Sequence, residues 1–254
     1  MNIHEQAALV TGGGSGLGEA VARELARRGA KVTLLDVNAD RAAQVAGEIG
    51  GLGLRCDITS PEEVTAALDR AEAAHGPARI LMNVAGIGGA KRVIQRDGSP
   101  APLEDFERVV RVNLIGTYNM ARLTAARMAR LAPLEDDERG VMVCTASVAA
   151  FDGQVGQEAY SASKGGIVGM TLPLARDLAQ WGIRVCTIAP GLFLTPLMNE
   201  LPEAARASLA ASIPFPKRLG KPEEFASLAA YIVTNTHLNG ETVRLDGALR
   251  MAPR

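Results

Sequence analysis

Short apolar runs alternate along the chain with longer stretches in which apolar residues recur at helical spacing. The first unit is an apolar run at 7–10, followed by glycines and by a segment at 19–28 in which Val21, Leu25 and several alanines share one helical face. The alternation predicts strands at 7–10, 31–37, 52–58, 79–85, 141–143, 183–189 and 242–245. It predicts helices at 19–28, 39–49, 61–75, 103–131, 158–180, 203–211 and 222–233.

Strands that alternate with helices are typical of an α/β fold, in which a parallel sheet is covered by helices on both faces. We expect a single domain over 1–254, because no linker, repeat or low-complexity tract interrupts the alternation. The segment 192–216 contains four prolines and is predicted to be irregular apart from the short helix at 203–211. Ser60 and Glu63 predict a capping box at the start of the third helix.

The composition narrows the class of protein. The formal net charge is −1 and 47% of the residues are hydrophobic, which argues against a nucleic-acid binder with a broad basic face. The cysteines at 56, 144 and 186 are widely spaced beside apolar runs, with no CxxC pair, and are predicted to be buried reduced thiols. The sequence has neither a recognisable signal peptide nor a membrane-spanning run, so we expect a cytoplasmic protein, and we expect no metal.

A glycine-rich loop follows the first predicted strand. Gly12, Gly16 and Gly18 lie between that strand and a helix, where backbone amides can approach a pyrophosphate at the helix N-terminus. Asp36 ends the second strand 18 residues after Gly18, close to the offset of about 20 for a carboxylate that binds the adenine-ribose hydroxyls. A turn needed only for packing is the alternative, but together these features favour a dinucleotide site within about 1–150.

The charge of Asp36 selects the cofactor. A carboxylate repels a 2′-phosphate, and no arginine replaces Asp36 or immediately follows it, so NAD is predicted rather than NADP. Asp57, at the end of the third strand, is a candidate acceptor for the adenine amino group, and Ile58 is a candidate to flank the ring. A cap for the helix that begins near Ser60 explains Asp57 equally well.

Tyr160 and Lys164 lie four residues apart in a predicted helix and therefore one turn apart on one face. Ser147 follows the apolar run at 141–143 and brings a hydroxyl from a strand end. A phenol ionises near pKa ~10, and a neighbouring cation favours its charged form. The three residues predict a proton-transfer device, although singly Ser147 could satisfy a strand end and Lys164 could be a solvated helix charge.

Taken together, these motifs resemble the short-chain dehydrogenase/reductase family over essentially the whole chain. The family motif TGxxxGxG is Thr11 to Gly18, its YxxxK motif is Tyr160 and Lys164, and its helix asparagine is Asn113. The resemblance implies a Rossmann-type, doubly wound parallel sheet and an NAD site. The implied cofactor-binding residues are Gly12, Ser15, Gly16, Leu17, Gly18, Asp36, Asp57, Ile58, Asn83, Ala85, Gly86, Tyr160, Lys164, Pro190, Gly191 and Thr195.

The same resemblance implies that Asn113, Ser147, Tyr160 and Lys164 are catalytic. Tyr160 would exchange a proton with the substrate oxygen, and Ser147 would donate to that oxygen. Lys164 would lower the pKa of Tyr160 and hold the nicotinamide ribose. Asn113 would hold a water that extends a proton relay from Lys164 toward solvent. The family also implies a homotetramer.

The substrate prediction depends on long segments outside the generic motifs. Residues 147–179, 188–198 and 244–253 are similar to a branch of the family that interconverts 3-hydroxyacyl-CoA and 3-oxoacyl-CoA in fatty-acid β-oxidation. Gln154 and Gln157 are predicted to line the substrate side with Ser147 and Tyr160, and 192–216 to form a flap over the substrate. The alternatives are a hydroxysteroid, another secondary alcohol or a 3-oxoacyl carrier protein as substrate, and a non-catalytic cofactor-binding scaffold.

A basic loop is predicted near the mouth of the site. Lys91, Arg92 and Arg96 lie in the polar segment 88–102, which follows the fourth strand. They are candidates to meet the phosphates of an acyl-CoA substrate. A solvated basic loop explains them as well.

Overall fold

The computed structural model describes residues 1–199 and 202–253, and within these ranges seven parallel strands form one sheet. The strands are β1 (Ala7–Thr11), β2 (Lys31–Asp36), β3 (Leu52–Arg55), β4 (Ile80–Asn83), β5 (Gly140–Thr145), β6 (Ile183–Pro190) and β7 (Thr242–Leu245). The helices are α1 (Gly16–Arg27), α2 (Ala39–Ile49), α3 (Pro61–His75), α4 (Leu103–Val110), α5 (Thr117–Met128), α6 (Glu158–Ala179), α7 (Pro196–Asn199), α8 (Glu203–Ala211) and α9 (Pro222–Thr234). This alternation confirms the predicted α/β fold.

The sheet reverses its winding direction between β1 and β4. The strand order is β3-β2-β1-β4-β5-β6-β7, so the chain first builds outward from β1 to β3 and then crosses to the other side of β1. The connections after β1 and after β4 therefore diverge and leave a crevice at the carboxyl edge of the sheet. This is the predicted doubly wound, Rossmann-type arrangement, and the crevice is the place where such sheets bind ligands.

Helices cover both faces of the sheet. On one face, Val21 of α1 and Phe225 of α9 join one buried cluster, and on the other face Leu68 of α3 and Met120 of α5 join a second. Neighbouring residues of β1 contribute to opposite clusters, because successive side chains of a strand point to opposite faces. The three cysteines are free and buried, as predicted. In the described ranges, no helix is long and apolar enough to cross a membrane.

The predicted helix at 103–131 is not a continuous α-helix. A π-helical segment at Arg111–Gly116 separates α4 from α5, and the prediction of one uninterrupted α-helix is wrong there. Asn113 lies in this segment, and its side chain is hydrogen-bonded to the backbone of Ile87 rather than pointing to solvent. The Thr117 hydroxyl donates to the Asn113 carbonyl at 2.7 Å. Short π segments inside α-helices frequently mark functional sites.

Strands β2, β3 and β4 end one, three and two residues earlier, respectively, than the apolar pattern predicts. The residues that follow them, including Asp57, lie in loops at the carboxyl edge. The capping box of α3 is only half formed: the Ser60 hydroxyl accepts from the Glu63 amide at 3.1 Å, but the Glu63 carboxylate accepts from the amide of Asp57. Glu63 therefore connects α3 to the loop after β3 instead of closing on Ser60.

Candidate active site

The glycine loop is packed too closely for side chains. A Cβ on Gly12, whose φ is +66°, would lie 2.9 Å from the Cα of Ala85, and one on Gly18 would lie 2.0 Å from the carbonyl oxygen of Gly12. The loop leads into α1, whose N-cap residue Ser15 has an extended backbone. The close approach and the exposed helix N-terminus form a cradle that fits a pyrophosphate, because backbone amides and the helix dipole face the same space.

Thr11 joins the glycine loop to the segment after β4. Its hydroxyl accepts hydrogen bonds from the amides of Val84 and Ala85 at 3.0 and 3.1 Å. Gly86 follows, and a Cβ there would lie 3.1 Å from Oδ1 of Asn113 and 3.3 Å from Nζ of Lys164. The predicted cofactor-binding residues Ala85 and Gly86 therefore lie between the glycine loop and the predicted catalytic residues.

Two charged residues flank the glycine loop on the side of β2. Asp36 is half-buried, and its carboxylate accepts from the amides of Gly14 and Asn38 at 3.0 and 2.9 Å. Arg41 donates to the Gly14 carbonyl at 3.2 Å and forms an ion pair with Glu19. The sequence analysis missed Arg41, because it considered only arginines at or directly after Asp36.

Asp57 has the contacts of a turn residue. Its carboxylate accepts from the Thr59 amide at 2.9 Å, and its carbonyl accepts from the amide of Ser60. Ile58 is buried, and its carbonyl accepts from Nδ2 of Asn119 at 2.9 Å. The contacts of Asp57 belong to the turn before α3, whose N-cap residue is Ser60, and the adenine contacts of Asp57 and Ile58 stay predictions.

Ser147, Tyr160 and Lys164 come together at the carboxyl end of β5. Ser147 precedes a 3-10 turn (Val148–Ala150), its hydroxyl accepts from the Ala149 amide at 3.1 Å, and it lies near enough to the Tyr160 phenol to influence its pKa. Nζ of Lys164 lies 5.7 Å from the centroid of the Tyr160 ring and donates to the Thr145 carbonyl at 2.7 Å. Lys164 is 4% exposed, so it is not the solvated helix charge of the alternative interpretation.

Burial controls the ionisation of both residues. It lowers the pKa of Lys164 to about 8. It also raises the pKa of Tyr160, and the neighbouring Ser147 side chain opposes that shift without reversing it. The expected direction for Tyr160 was downward, because of the neighbouring cation. In this structure desolvation of the phenolate dominates, and the Lys164 ammonium is directed at the Thr145 carbonyl.

Asn113 is locked by three hydrogen bonds. Its Oδ1 accepts from the Ile87 amide at 2.7 Å, and its Nδ2 donates to the Ile87 carbonyl at 2.9 Å and to Oγ of Ser163 at 3.0 Å. Ser163 is fully buried and donates to the Tyr160 carbonyl at 2.8 Å. The sequence analysis missed Ser163, although its place directly before Lys164 in the helix was a usable signal. Both Nδ2 hydrogens are committed to these partners, so a relay water could only donate to Asn113, at Oδ1 or at its carbonyl oxygen.

The Pro190–Gly191 turn and Thr195 lie on the other side of the crevice. Gly191 packs against Asp246, since a Cβ on Gly191 would lie 2.8 Å from the Cβ of Asp246. A Cβ on Gly16 would lie 3.7 Å from Cγ2 of Thr195. Thr195 is therefore next to the glycine loop, and its contact with the cofactor stays a prediction.

The predicted flap at 192–216 contains α7 and α8, and residues 200 and 201 lie outside the described residues. Phe193 is buried and packs edge-to-face on Phe225 of α9, with ring centroids 6.3 Å apart. Leu194 and Phe215 are exposed. Phe193 thus belongs to the core, whereas Leu194 and Phe215 are free to meet a ligand.

Gln154 and Gln157 contact their own loop and the C-terminal segment. Nε2 of Gln154 donates to the carbonyl of Ala252 at 3.0 Å, and Oε1 of Gln157 accepts from the Gln154 amide at 3.0 Å. These contacts do not require a ligand. The substrate-lining role of both residues stays a prediction.

Comparison with known proteins identifies the class. Residues 6–206 match the family model described as short chain dehydrogenase, and the chain belongs to that family. It is 51% identical to 3-hydroxyacyl-CoA dehydrogenase type-2 of Drosophila melanogaster, over 99% of this chain and 100% of that protein. It is 53% identical to the protein of the same name from Bos taurus, over 97% of this chain and 95% of that one.

Two solved structures are also similar to this chain. The crystal structure of 3-hydroxyacyl-CoA dehydrogenase type-2 from Mycobacterium avium is similar with a TM-score of 0.94 and 47% identity, covering 98% of both chains. A 3-ketoacyl-(acyl-carrier-protein) reductase from Brucella melitensis, complexed with NADH, has a TM-score of 0.86 and 32% identity over 98% of this chain and 100% of that one. The predicted family is confirmed.

The buried amine of Lys164 predicts a pH-dependent stability. The folded chain holds this pKa at about 8, below the unfolded value of about 10.4, so between these values the unfolded chain binds more protons and stability rises with pH. Relative to Lys164→Met, the free energy of unfolding of the wild type should increase by about 3 kcal/mol from about pH 7 to about pH 10.5.

Guanidinium denaturation of both proteins across this range measures the difference. The same measurement on Lys217→Met, at an exposed lysine, corrects for exchanging an amine for a thioether. A difference between wild type and Lys164→Met that stays constant with pH would contradict the prediction.

Proposed function

We propose that this chain is an NAD(H)-dependent oxidoreductase that interconverts 3-hydroxyacyl-CoA and 3-oxoacyl-CoA. The observation that carries the proposal is the meeting of Ser147, Tyr160 and Lys164 beside the glycine cradle, in a chain about half identical to dehydrogenases of that name over nearly its full length. An intact constellation of this kind argues against a purely structural scaffold. The hydride chemistry is supplied by the nicotinamide cofactor when it is bound.

Tyr160 is the residue that exchanges a proton with the substrate oxygen. Its raised pKa keeps the phenol protonated at neutral pH, which suits the donation of a proton to a substrate carbonyl. The Ser147 hydroxyl, which lies near the phenol, adds a second hydrogen bond where negative charge develops on that oxygen. General acid–base catalysis of this type contributes ~10²–10⁴-fold to a rate.

In this proposal, Lys164 and Asn113 support the pair formed by Ser147 and Tyr160. The Lys164 amine, with its pKa near 8, can gain or lose a proton close to neutral pH, and in this proposal it replenishes the proton of Tyr160. Asn113 and Ser163 fix the turn of α6 that carries Tyr160. The proton relay toward solvent remains part of the proposal.

Asp36 supports NAD as the cofactor rather than NADP. Two backbone amides orient its carboxylate beside the glycine loop, where the adenine ribose lies in proteins with this fold. Arg41, which lies against the same loop, is paired with Glu19 and hydrogen-bonded to Gln44. Its charge is therefore partly neutralised by this chain.

A cleft whose lining reaches Ala159, the residue before Tyr160, supports a long, partly anionic substrate. It has a volume of about 980 Å³ and lies between the loop 88–102, α4 and residues 156–159. Its walls include the apolar Val93 and Phe106 and the basic Arg92 and Arg96. An acyl chain would contact the apolar residues of this cleft, and the phosphates of CoA would contact the basic ones. A compact steroid carries no phosphate and would leave the basic residues without a partner on the substrate. Lys91 is ion-paired with Asp105 and contributes less free charge.

A homotetramer is part of the proposal. By resemblance to the family, the helices predicted at 103–131 and 158–180 would pair across one interface. Large apolar side chains are exposed on them, among them Tyr118 on α5 and Leu172 on α6. Exposed apolar patches of this kind are typical of protein–protein contacts. Sizing in solution would measure the oligomeric state. The cytoplasmic location stays a prediction of the sequence.

One prediction concerns Tyr160, the proposed proton donor. Tyr160→Phe should lower NADH-dependent reduction of acetoacetyl-CoA by ~10²-fold or more, because the proton donor is lost, while NADH binding measured by fluorescence is retained. Tyr231→Phe, which removes an exposed hydroxyl far from the site, is the matched control. A variant that keeps substantial turnover would refute the role of Tyr160. Parallel assays with a hydroxysteroid and an acetoacetyl carrier protein test the substrate class.

The second prediction tests the choice of cofactor. Asp36→Asn keeps a side-chain oxygen near Gly14 but removes the charge, so the preference for NADH over NADPH in kcat/KM should fall about tenfold or more. Asp40→Asn, at an exposed position on the first turn of α2, should keep the wild-type preference. An unchanged preference in Asp36→Asn would show that another feature excludes the 2′-phosphate.

The third prediction tests the basic loop. The double variant Lys91→Ala/Arg92→Ala should lower kcat/KM for acetoacetyl-CoA about tenfold, with little effect on the corresponding pantetheine substrate, which lacks the nucleotide phosphates. Arg27→Ala/Lys31→Ala removes two charges at the opposite edge of the sheet and serves as the control. Equal losses on both substrates would rule out the phosphate contact.

A further inference from the structure

The loop between Ser147 and Tyr160 has little apolar packing of its own. Within 151–157, Phe151 is 47% and Val155 46% exposed, so burial of these large side chains does not fix the loop. Yet both ends of the loop carry proposed catalytic groups, and its path decides how the Ser147 hydroxyl and the Tyr160 phenol face a substrate. Other contacts must hold the loop in one position.

Besides the hydrogen bond from the Lys91 amide to the Gly156 carbonyl, Arg244 of the edge strand β7 makes a two-point contact with the loop. Its guanidinium donates to both carboxylate oxygens of Asp152, at 2.6 and 3.4 Å, and its Cζ lies 5.0 Å from the centroid of the Phe151 ring. The side chains of Arg244 and Asp152 are 20% and 18% exposed. A two-point ion pair of this kind, partly shielded from water and stacked on an aromatic ring, fixes direction as well as distance.

The same guanidinium is anchored on the cofactor side of the crevice. Nε of Arg244 donates to Asp246 at 2.8 Å, and an Nη donates to the carbonyl of Leu249 at 3.0 Å. Asp246 packs against Gly191 in the turn that follows β6. Arg244 therefore connects the loop 151–157 to the Pro190–Gly191 turn.

The C-terminal segment adds two more contacts to the loop. The amide of Val155 donates to the carbonyl of Pro253 at 3.1 Å, and the side chain of Gln154 donates to the carbonyl of Ala252. Segment 246–253 thus runs along the outside of the loop. Arg244 also donates to the carbonyl of Leu249, which belongs to this segment. Arg244 therefore contacts both the loop and the C-terminal segment.

We infer that Arg244 is a positioning residue for the proposed reaction: through Asp152 it holds the loop between Ser147 and Tyr160 in register with the cofactor side of the crevice. The inference rests on the proposed function for its activity readout. Small displacements of reacting groups lower rates strongly, so a loosened loop should lower turnover without preventing cofactor binding. Lysine cannot replace the two-point contact or the stacking on Phe151.

The alternative is that the pair only stabilises the fold. The hydrogen bond from Arg244 lowers the pKa of the Asp152 carboxyl, so both partners are charged at neutral pH under either account. If the pair only stabilised the fold, a variant that loses activity would also show a correspondingly lower melting temperature. A positioning role predicts a change localised to the loop, with coupling between Arg244 and Asp152 in kcat/KM.

The experiment compares Arg244→Lys, Asp152→Asn and the double variant with the wild type. Each single variant should lower kcat/KM for acetoacetyl-CoA about tenfold, and the double variant should lose no more than the worse single variant, because both changes break one interaction. The dissociation constant of NADH should stay within about twofold. Arg127→Lys is the matched control: Arg127 is 25% exposed and also bridges two carboxylates, Asp69 and Glu72, away from the site.

Hydrogen exchange of the loop amides gives a readout independent of turnover. The amides of Gln154 and Val155 should exchange faster in Arg244→Lys, with β5 and α6 unchanged. Unchanged loop exchange, additive losses in the double variant, or faster exchange with unaltered kcat/KM would each overturn the inference. A wild type that does not reduce acetoacetyl-CoA would refute the proposed substrate instead, and loop exchange would then decide alone whether Arg244 holds the loop.

Discussion

The close backbone contact between the glycine loop and the end of β4 is the constraint on which the rest of the site depends. A side chain at Gly12 would collide with Ala85, and one at Gly18 would collide with Gly12 itself. Thr11 closes the contact from the strand side by accepting two hydrogen bonds from the backbone after β4. The two segments that diverge at the switch point of the sheet are therefore held at a fixed separation.

A series of hydrogen bonds extends from this contact to the backbone of Tyr160. The segment after Ala85 ends at Ile87, whose amide and carbonyl both bind the side chain of Asn113. Asn113 in turn donates to Ser163, and Ser163 donates to the carbonyl of Tyr160. A series of directional bonds thus relates the glycine loop to Tyr160, although the two lie on different halves of the chain.

The sequence predicted those features that depend on local pattern. Alternating apolar runs predicted every strand of the sheet to within a few residues, and the helix at 203–211 and the strand at 242–245 coincide with α8 and β7. The cluster of Ser147, Tyr160 and Lys164 was predicted because two of its members share a helical face. What the sequence could not predict depends on contacts between distant segments. The partners of Asn113, the approach of Arg41 to Gly14 and the direction of the Tyr160 pKa shift all require knowing what lies beside each group in space.

The π-helical segment at Arg111–Gly116 sets a phase difference between α4 and α5. A helix rotates by about 100° per residue, so the extra residue accommodated in the wider turn shifts the faces of α5 by roughly that angle relative to α4. The shift lets α4 direct Phe106 toward the cleft while α5 directs Met120 into the core. Shortening the segment by one residue would restore a regular helix and misorient one of these two faces. The number of residues in this part of the connection between β4 and β5 is therefore constrained by the orientations of α4 and α5 as well as by the hydrogen bonds of Asn113.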